Sequence, residues 1–342
     1  MSGAILVTGG AGYIGSALVS RLLDAGRAVR VFDPLLYGDR AVRDFRTHSD
    51  YSLLVGDPTD RCDVGRAVEG VSKIIHLGAI VGDPACALDP AFTIAANVDA
   101  TRLLAEAAVD SKTARFVFAS TCSVYGAGDD DLDEAAPLAP KSLYAESKIA
   151  AERVVLDAAG IEPVVLRFGT VFGASRRPRF DLVVNLLTAK AAAGEPIGIF
   201  GGDQWRPFVH VEDIVSAIVM ALDADADVVA GETFNAGSAQ ENRRLSEIGE
   251  IIAELVPKAM VTIDALSVDH RNYRADFSKI SSRLGFEAKW SLRAGIEQLL
   301  RVLNSGDIGN YRNSAYSNDR ALAEMATDLG ELGFGFDRIT AG

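Results

Sequence analysis

Tyr144 and Lys148 stand four residues apart in YAESK, a spacing that puts both side chains on one face of a helix. A phenol beside an ammonium is a proton-transfer pair: the cation favours phenolate and draws the tyrosine pKa toward the working range. The same lysine can hydrogen-bond the ribose of a nicotinamide cofactor. Alone, Y-x-x-x-K fits any amphipathic helix. STCSVYG (120–126) adds to it, ending the apolar run Phe116–Ala119 in two hydroxyls around a thiol. Whether Thr121, Cys122 and Ser123 react or merely cap depends on what lies around them. Cys122 reads as a small buried filler, because the sequence shows no electropositive partner that would make it a thiolate.

TGGAGYIG (8–15) follows an apolar run and opens an amphipathic one, the context in which a glycine pattern signals a dinucleotide site. Gly9 or Gly10 permits the tight turn, Gly12 lets backbone amides approach a pyrophosphate, and Gly15 lets helix and strand pack closely. Asp33 follows about twenty residues on, placed to accept hydrogen bonds from a ribose and to repel a 2'-phosphate, so NAD is expected rather than NADP. Arg40 and Arg43 are the nearby cations that would argue the other way. Arg176, Arg177 and Arg179 in GASRRPRFDLVVN, Arg206 in RPFVHVED and Arg271 in DHRNYR are guanidinium forks suited to a diphosphate. Asn185 is a candidate for a sugar or phosphate oxygen, and Asp83 for a hydroxyl or a turn. His76 and His210 fall inside apolar runs and are expected to be core residues.

Positioning these groups requires alternating strands and helices. AILVTG (4–9), AVRVFD (28–33), YSLLVGD (51–57), KIIHLGA (73–79), RFVFAS (115–120) and PVVLRFG (163–169) are short β-rich runs, with helical stretches such as 92–109 and 142–159 between them. Runs apolar on both faces suit a parallel sheet covered on each side. Beyond Phe172 helices near 181–193, 212–222, 244–255 and 291–303 suggest a smaller lobe. RPFVHVED is apolar enough to return to the main sheet, and the acidic DDDLDE (129–134) reads as a solvated loop.

The 342 residues carry a formal net charge of -13, which argues against a nucleic-acid surface. Cys62, Cys86 and Cys122 are scattered and odd in number, so neither a disulfide framework nor a metal site is expected. No long apolar span or targeting pattern is evident, so a cytoplasmic protein off the membrane is expected.

Taken together, these motifs resemble the extended short-chain dehydrogenase/reductases, in particular the NAD-dependent epimerase/dehydratase group acting on nucleotide sugars. TGGAGYIG, Asp33, GDPTD (56–60), HLGA (76–79), Asn97, STCSVYG, YAESK, RFGTVFG (167–173), RPFVHVED and NYRADFSKISSRLGF (272–286) carry the likeness over nearly the whole chain. It implies an α/β fold, a Rossmann-type doubly wound parallel sheet with a smaller α/β substrate-binding lobe. Residues 1–170, with 205–235 returning, would bind NAD; 171–204 and 236–342 would mainly form the substrate lobe. Gly9, Gly12, Tyr13, Ile14, Gly15, Asp33, Asp57, Leu77, Ala79, Asn97, Tyr144 and Lys148 would contact the cofactor, with Asp57 near the adenine. Thr121, Tyr144 and Lys148 would be catalytic, and Ser123, Arg179, Asn185, Arg206 and Arg271 would hold a nucleotide-diphosphate sugar. The resemblance further implies a homodimer paired through the helices near 92–109 and 142–159.

One departure narrows the chemistry. The family's 4,6-dehydratases carry an acid and a Glu before V-Y-G, where this chain has Cys122 and Ser123; members that epimerise at C3 and C5 carry Cys in place of Ser123. The expected activity is therefore a nucleotide-sugar 4-epimerase, with a 4-dehydrogenase or 4-ketoreductase as the alternative. The tail from Tyr311 to Gly342 matches no motif.

Overall fold

Alternate residues of the first strand face opposite ways and both faces are apolar: Ile5 and Val7 pack to one side, Leu6 to the other, all fully buried. The same two-sided burial runs through a seven-stranded sheet in the computed structural model, which describes residues 3–264 and 272–329. Its strands are β1 (Ala4–Thr8), β2 (Val29–Asp33), β3 (Tyr51–Val55), β4 (Val71–His76), β5 (Arg115–Thr121), β6 (Glu162–Phe168) and β7 (Glu232–Ala236). They lie in the order β7-β6-β5-β4-β1-β2-β3, with every neighbouring pair parallel.

Helices Tyr13–Asp24 and Val211–Asp223 cover one face, burying Leu18, Leu22, Ile214 and Ile218 against Val7, Val31 and Val117. Helices Arg61–Val68, Ala100–Asp110 and Leu143–Leu156 cover the other, packing Val64, Leu104 and Val155 on Leu6, Ile74 and Phe116. The strand order reverses at β1: the helix after β1 covers one face and the helix between β3 and β4 the other. A crevice therefore opens over the C-terminal end of β1, the place where such sheets bind ligands.

The smaller lobe has two little sheets, Thr170–Phe172 with Trp205–His210 and Asn242–Arg244, and Ile197–Phe200 with Val261–Asp264. Helices Val183–Ala192, Leu245–Leu255 and Leu292–Asn304 close around Phe172, Phe208, Ile252 and Ile296.

Two expectations are corrected. RPFVHVED does not rejoin the main sheet; its strand pairs with Thr170–Phe172 and Asn242–Arg244. The place beside β6 is taken by β7, so what returns is the helix Val211–Asp223 and the strand after it. DDDLDE is not simply a solvated loop, because Ala127–Leu132 forms a strand parallel to Asn272–Ala275, where Arg274 meets Asp131 at 2.6 Å.

Candidate active site

The crevice is a cleft lined by the C-terminal ends of β1, β2, β4, β5 and β6. At its floor the chain turns at Gly9, whose φ of +69° belongs to the left-handed region that glycine tolerates. A Cβ on Gly15 would lie 2.2 Å from the Gly9 carbonyl oxygen, so the helix can begin this close to the strand only on glycine. Gly12 precedes the helix Tyr13–Asp24 without a side-chain cap. The first amides of that helix are thus available to an anionic ligand. Tyr13 and Ile14 line the cleft here, although the Tyr13 hydroxyl is committed to the Gly173 carbonyl at 2.7 Å.

Asp33 ends β2 with its carboxylate accepting from Ala11 N (2.9 Å) and Leu35 N (2.8 Å). These bonds fix the oxygens beside the turn. Burial raises the carboxyl's pKa, and the two amides and Arg177 pull against it. Leu77 and Ala79 line the cleft after β4. Asp57 does not, since its carboxylate closes a turn onto Thr59; Pro58 forms the wall instead.

Thr121 does two things at the end of β5. Its hydroxyl accepts from Ser123 N at 3.1 Å, capping the short turn Cys122–Tyr125, and it lies close enough to Tyr144 to pull the phenol's pKa down. Ser123 faces the cleft, whereas Cys122 is fully buried with its thiol toward the Arg167 carbonyl. Burial pushes that thiol up, which makes it inert.

The Ser142 hydroxyl caps the helix Leu143–Leu156, and Tyr144 and Lys148 follow one turn apart. The Lys148 ammonium lies 4.1 Å from the Phe118 ring centre, and burial brings it down to about 8. The shift anticipated for Tyr144 is opposite in sign: burial outweighs its neighbours and raises the phenol's pKa, with Thr121 and Arg179 pulling it down.

A buried chain of hydrogen bonds ties this helix to β1. Gly78 N donates to Thr8 Oγ1, which meets His76 Nδ1 at 2.6 Å; His76 Nε2 meets Thr101 Oγ1 at 2.9 Å, and Thr101 donates to the Asn97 carbonyl. Asn97, in the wide turn Ala95–Asp99, clamps both backbone groups of Ile80 and donates to Ser147, whose hydroxyl donates to the Tyr144 carbonyl. Asn97 is thus placed as a support behind the cleft rather than in its wall. His76 is held at about 3 by burial and stays neutral, the core residue expected of it.

The residues expected to hold a substrate divide. Arg179 lines the cleft but forms a two-point pair with Asp181, at 3.0 and 2.7 Å. Asn185 is corrected: its amide is spent on Gly173 and the Arg179 carbonyl, stapling the arginine loop from behind. Arg206 is buried outside the cleft wall and donates to the Trp205 carbonyl and Gln204. Arg271 lies outside the described residues. Arg176 is a surface strut, bonded to Ala41 O and Asp44 and stacked over Phe45.

Sequence reasoning missed Tyr37 and Asn318, and named Arg177 only among the guanidinium forks suited to a diphosphate; all three line the cleft. Arg177 sat among three arginines with nothing to rank them. No motif marked Tyr37 or Asn318.

A dinucleotide fits this cleft. The glycine cradle would be filled by a Cβ at Gly15, Asp33 waits beside it, and orphaned buried polar atoms of Arg177, Tyr37 and Asn318 face the same space. Residues 5–237 match the model of the NAD dependent epimerase/dehydratase family. YtcB of Bacillus subtilis, described as an uncharacterized UDP-glucose epimerase, is 31% identical over 322 residues, covering 88% of this chain and 98% of its own. The dTDP-glucose 4,6-dehydratase of an Actinoplanes species is 30% identical over 315 residues, 86% of this chain and 95% of its own. The solved UDP-glucuronic acid 4-epimerase from Bacillus cereus, in complex with UDP-glucuronic acid and NAD, aligns with a TM-score of 0.80 at 27% identity, covering 88% of this chain and 99% of that one. With the match spanning sheet, cleft and the Thr121, Tyr144 and Lys148 constellation, the chain belongs to the NAD-dependent epimerase/dehydratase family, enzymes that modify nucleotide sugars with NAD as cofactor.

Proposed function

We propose that this protein is a nucleotide-sugar 4-epimerase that acts by transient oxidation at C4. The observation that carries the reading is the cleft wall itself: among the described residues Asp33 is its only carboxylate, and it is bonded to Ala11 and Leu35 at the glycine turn. Eliminating water needs an acid and a base beside the sugar. The wall around Tyr144 offers hydroxyls, a phenol and an ammonium, and Asp83, whose charge reaches Tyr144, stands outside that wall, so the pair is not supplied. The reading therefore departs from the dehydratases among the relatives.

Tyr144 takes the proton of the sugar hydroxyl while Thr121 hydrogen-bonds the same oxygen. For the phenol to do this near neutrality its raised pKa must be offset. Thr121 and the Arg179 guanidinium pull it down, and Lys148, one turn along the helix and still largely protonated at pH 7, is proposed as a further cation that does so. Ser123 is the next hydroxyl in the wall and orients the ring. NAD, held by the glycine turn and Asp33, would supply a two-electron oxidant for C4 that is regenerated within the turnover. Between the two steps the keto sugar turns over, and Tyr144 returns the proton on the other face.

Arg179 and Arg271 are proposed to act on the diphosphate side, Arg179 from the wall, with Asn185 stapling the arginine loop behind it. UDP-sugars are the first substrates to test, since epimerases among the relatives are named for them. In an NMR assay of UDP-glucose and UDP-glucuronic acid, wild type is expected to produce a C4 epimer, and Tyr144→Phe to lose about 10²-fold or more in turnover. Tyr144→Phe turning over at the wild-type rate would refute the assignment.

A further inference from the structure

No sequence motif gives the C-terminal segment a task, yet the fold packs it against the loops beside the cleft and sets Asn318 in the cleft wall. Tyr311 and Tyr316 grip Phe180 edge-on, with ring centres 5.9 and 5.8 Å away, and Phe180 N donates to the Tyr316 carbonyl at 2.8 Å. Asn318 N donates to Asp181 at 3.1 Å, the carboxylate that holds Arg179. One turn on, Leu322 is fully buried in a cluster with Ile80 and Cys86 that also packs Tyr37 and Tyr144. The segment therefore bridges the loop after β2 and the loop after β4, over the space between them.

Under this bridge three side chains from three separate segments carry buried polar atoms without a partner: Nε and Nη2 of Arg177, the hydroxyl of Tyr37, and Oδ1 of Asn318. All three line the cleft, and Arg177 and Asn318 are only 7% and 2% exposed. A buried guanidinium with unused donors is costly unless a ligand satisfies it. Burial lowers Arg177 to about 10, so it remains a cation at neutral pH. It stacks 4.0 Å from the centre of the Tyr37 ring, and Tyr37 lies four residues beyond Asp33. Two donors for an anion, an acceptor for a hydroxyl and a phenol that can be either complement a phosphate next to a ribose. Proximity to Asp33 and the glycine turn favours the dinucleotide over the nucleotide sugar as its source.

We propose that this C-terminal strap completes the cofactor site, with Asn318, Arg177 and Tyr37 clasping the ribose-phosphate part of NAD so that the cofactor is retained. The proposal rests on the cleft binding NAD and not on which sugar carbon reacts.

The test is binding, read without turnover, so a failed epimerase assay and a failed clasp are separate results. Full-length protein freed of nucleotide is titrated calorimetrically with NAD and, separately, with UDP. Asn318→Ala and Arg177→Gln are each expected to weaken NAD by about tenfold or more while UDP stays within about twofold. Weakening of UDP alone, equal weakening of both, or no change in either would overturn the proposal. Tyr316→Ala loosens the grip on Phe180 from outside the cleft and is expected to speed NAD release in a displacement experiment by several-fold; an unchanged release rate would contradict the strap.

Discussion

Lys148 keeps its charge in a place that disfavours it. Its ammonium is buried over Phe118, with Glu152 one turn further along the helix as the charge that supports it, and burial still lowers it from 10.5 to about 8. Below pH 8 the lysine is protonated folded or unfolded, and the folded state carries the whole desolvation cost. Between about 8 and 10.5 the unfolded chain holds a proton that the folded chain has released, so this term makes stability rise with pH, and above 10.5 the cost is gone. Lys148→Met should therefore be inactive yet more stable than wild type at pH 7, by on the order of 3 kcal/mol, with the gap closing toward pH 10. Urea melts of the two apoproteins at pH 7 and pH 10 check this. A variant less stable at pH 7 would show that the lysine's contacts outweigh its desolvation. Thr121 has the opposite character, since capping the turn and lowering the pKa of the Tyr144 phenol serve fold and site together.

At the scale of elements, the turn between β1 and its helix tolerates least. Gly15→Ala puts a methyl 2.2 Å from the Gly9 carbonyl oxygen and 2.7 Å from Gly10 Cα, both backbone. It is expected to cost about 1–3 kcal/mol and to abolish NAD binding, measured by thermal melting and titration. Wild-type binding would mean the helix can slide away from the strand. This rigidity is why the turn, Asp33 and the sheet were readable from residues: glycine is demanded by backbone approach, and two-sided apolar runs are demanded by a covered parallel sheet. The same reasoning could not place Asn185, Asn97 or Arg206, because each is spent on groups inside the fold, Gly173 and Arg179, Ile80 and Ser147, and Trp205 and Gln204, which residue type alone does not reveal. It also missed the strand at Ala127–Leu132, because the charge run hid a ladder completed only by Asn272–Ala275. Tyr37 and Asn318 carry no local signal; their meaning comes from the strap that brings them together.

For the whole molecule, the net charge of -13 leaves few unpaired cations in the cleft, and those present are held by aromatic rings and carboxylates rather than spread over the surface. No helix among the described residues is long and apolar enough to cross a membrane, and the three cysteines are free. We also propose a homodimer paired through the helices Ala100–Asp110 and Leu143–Leu156; light scattering should give twice the chain mass, and a monomer at all concentrations would refute it. A dimer joined there would brace the helix that carries Tyr144 and Lys148. The central claim is that hydride leaves C4 and returns within one closed site, and the direct measurement follows UDP-sugars by NMR in heavy water with no cofactor added. The account predicts a C4 epimer free of ring deuterium, made by NAD retained through purification. A keto sugar that accumulates once per site, with no epimer, would contradict it and make the protein a dehydrogenase.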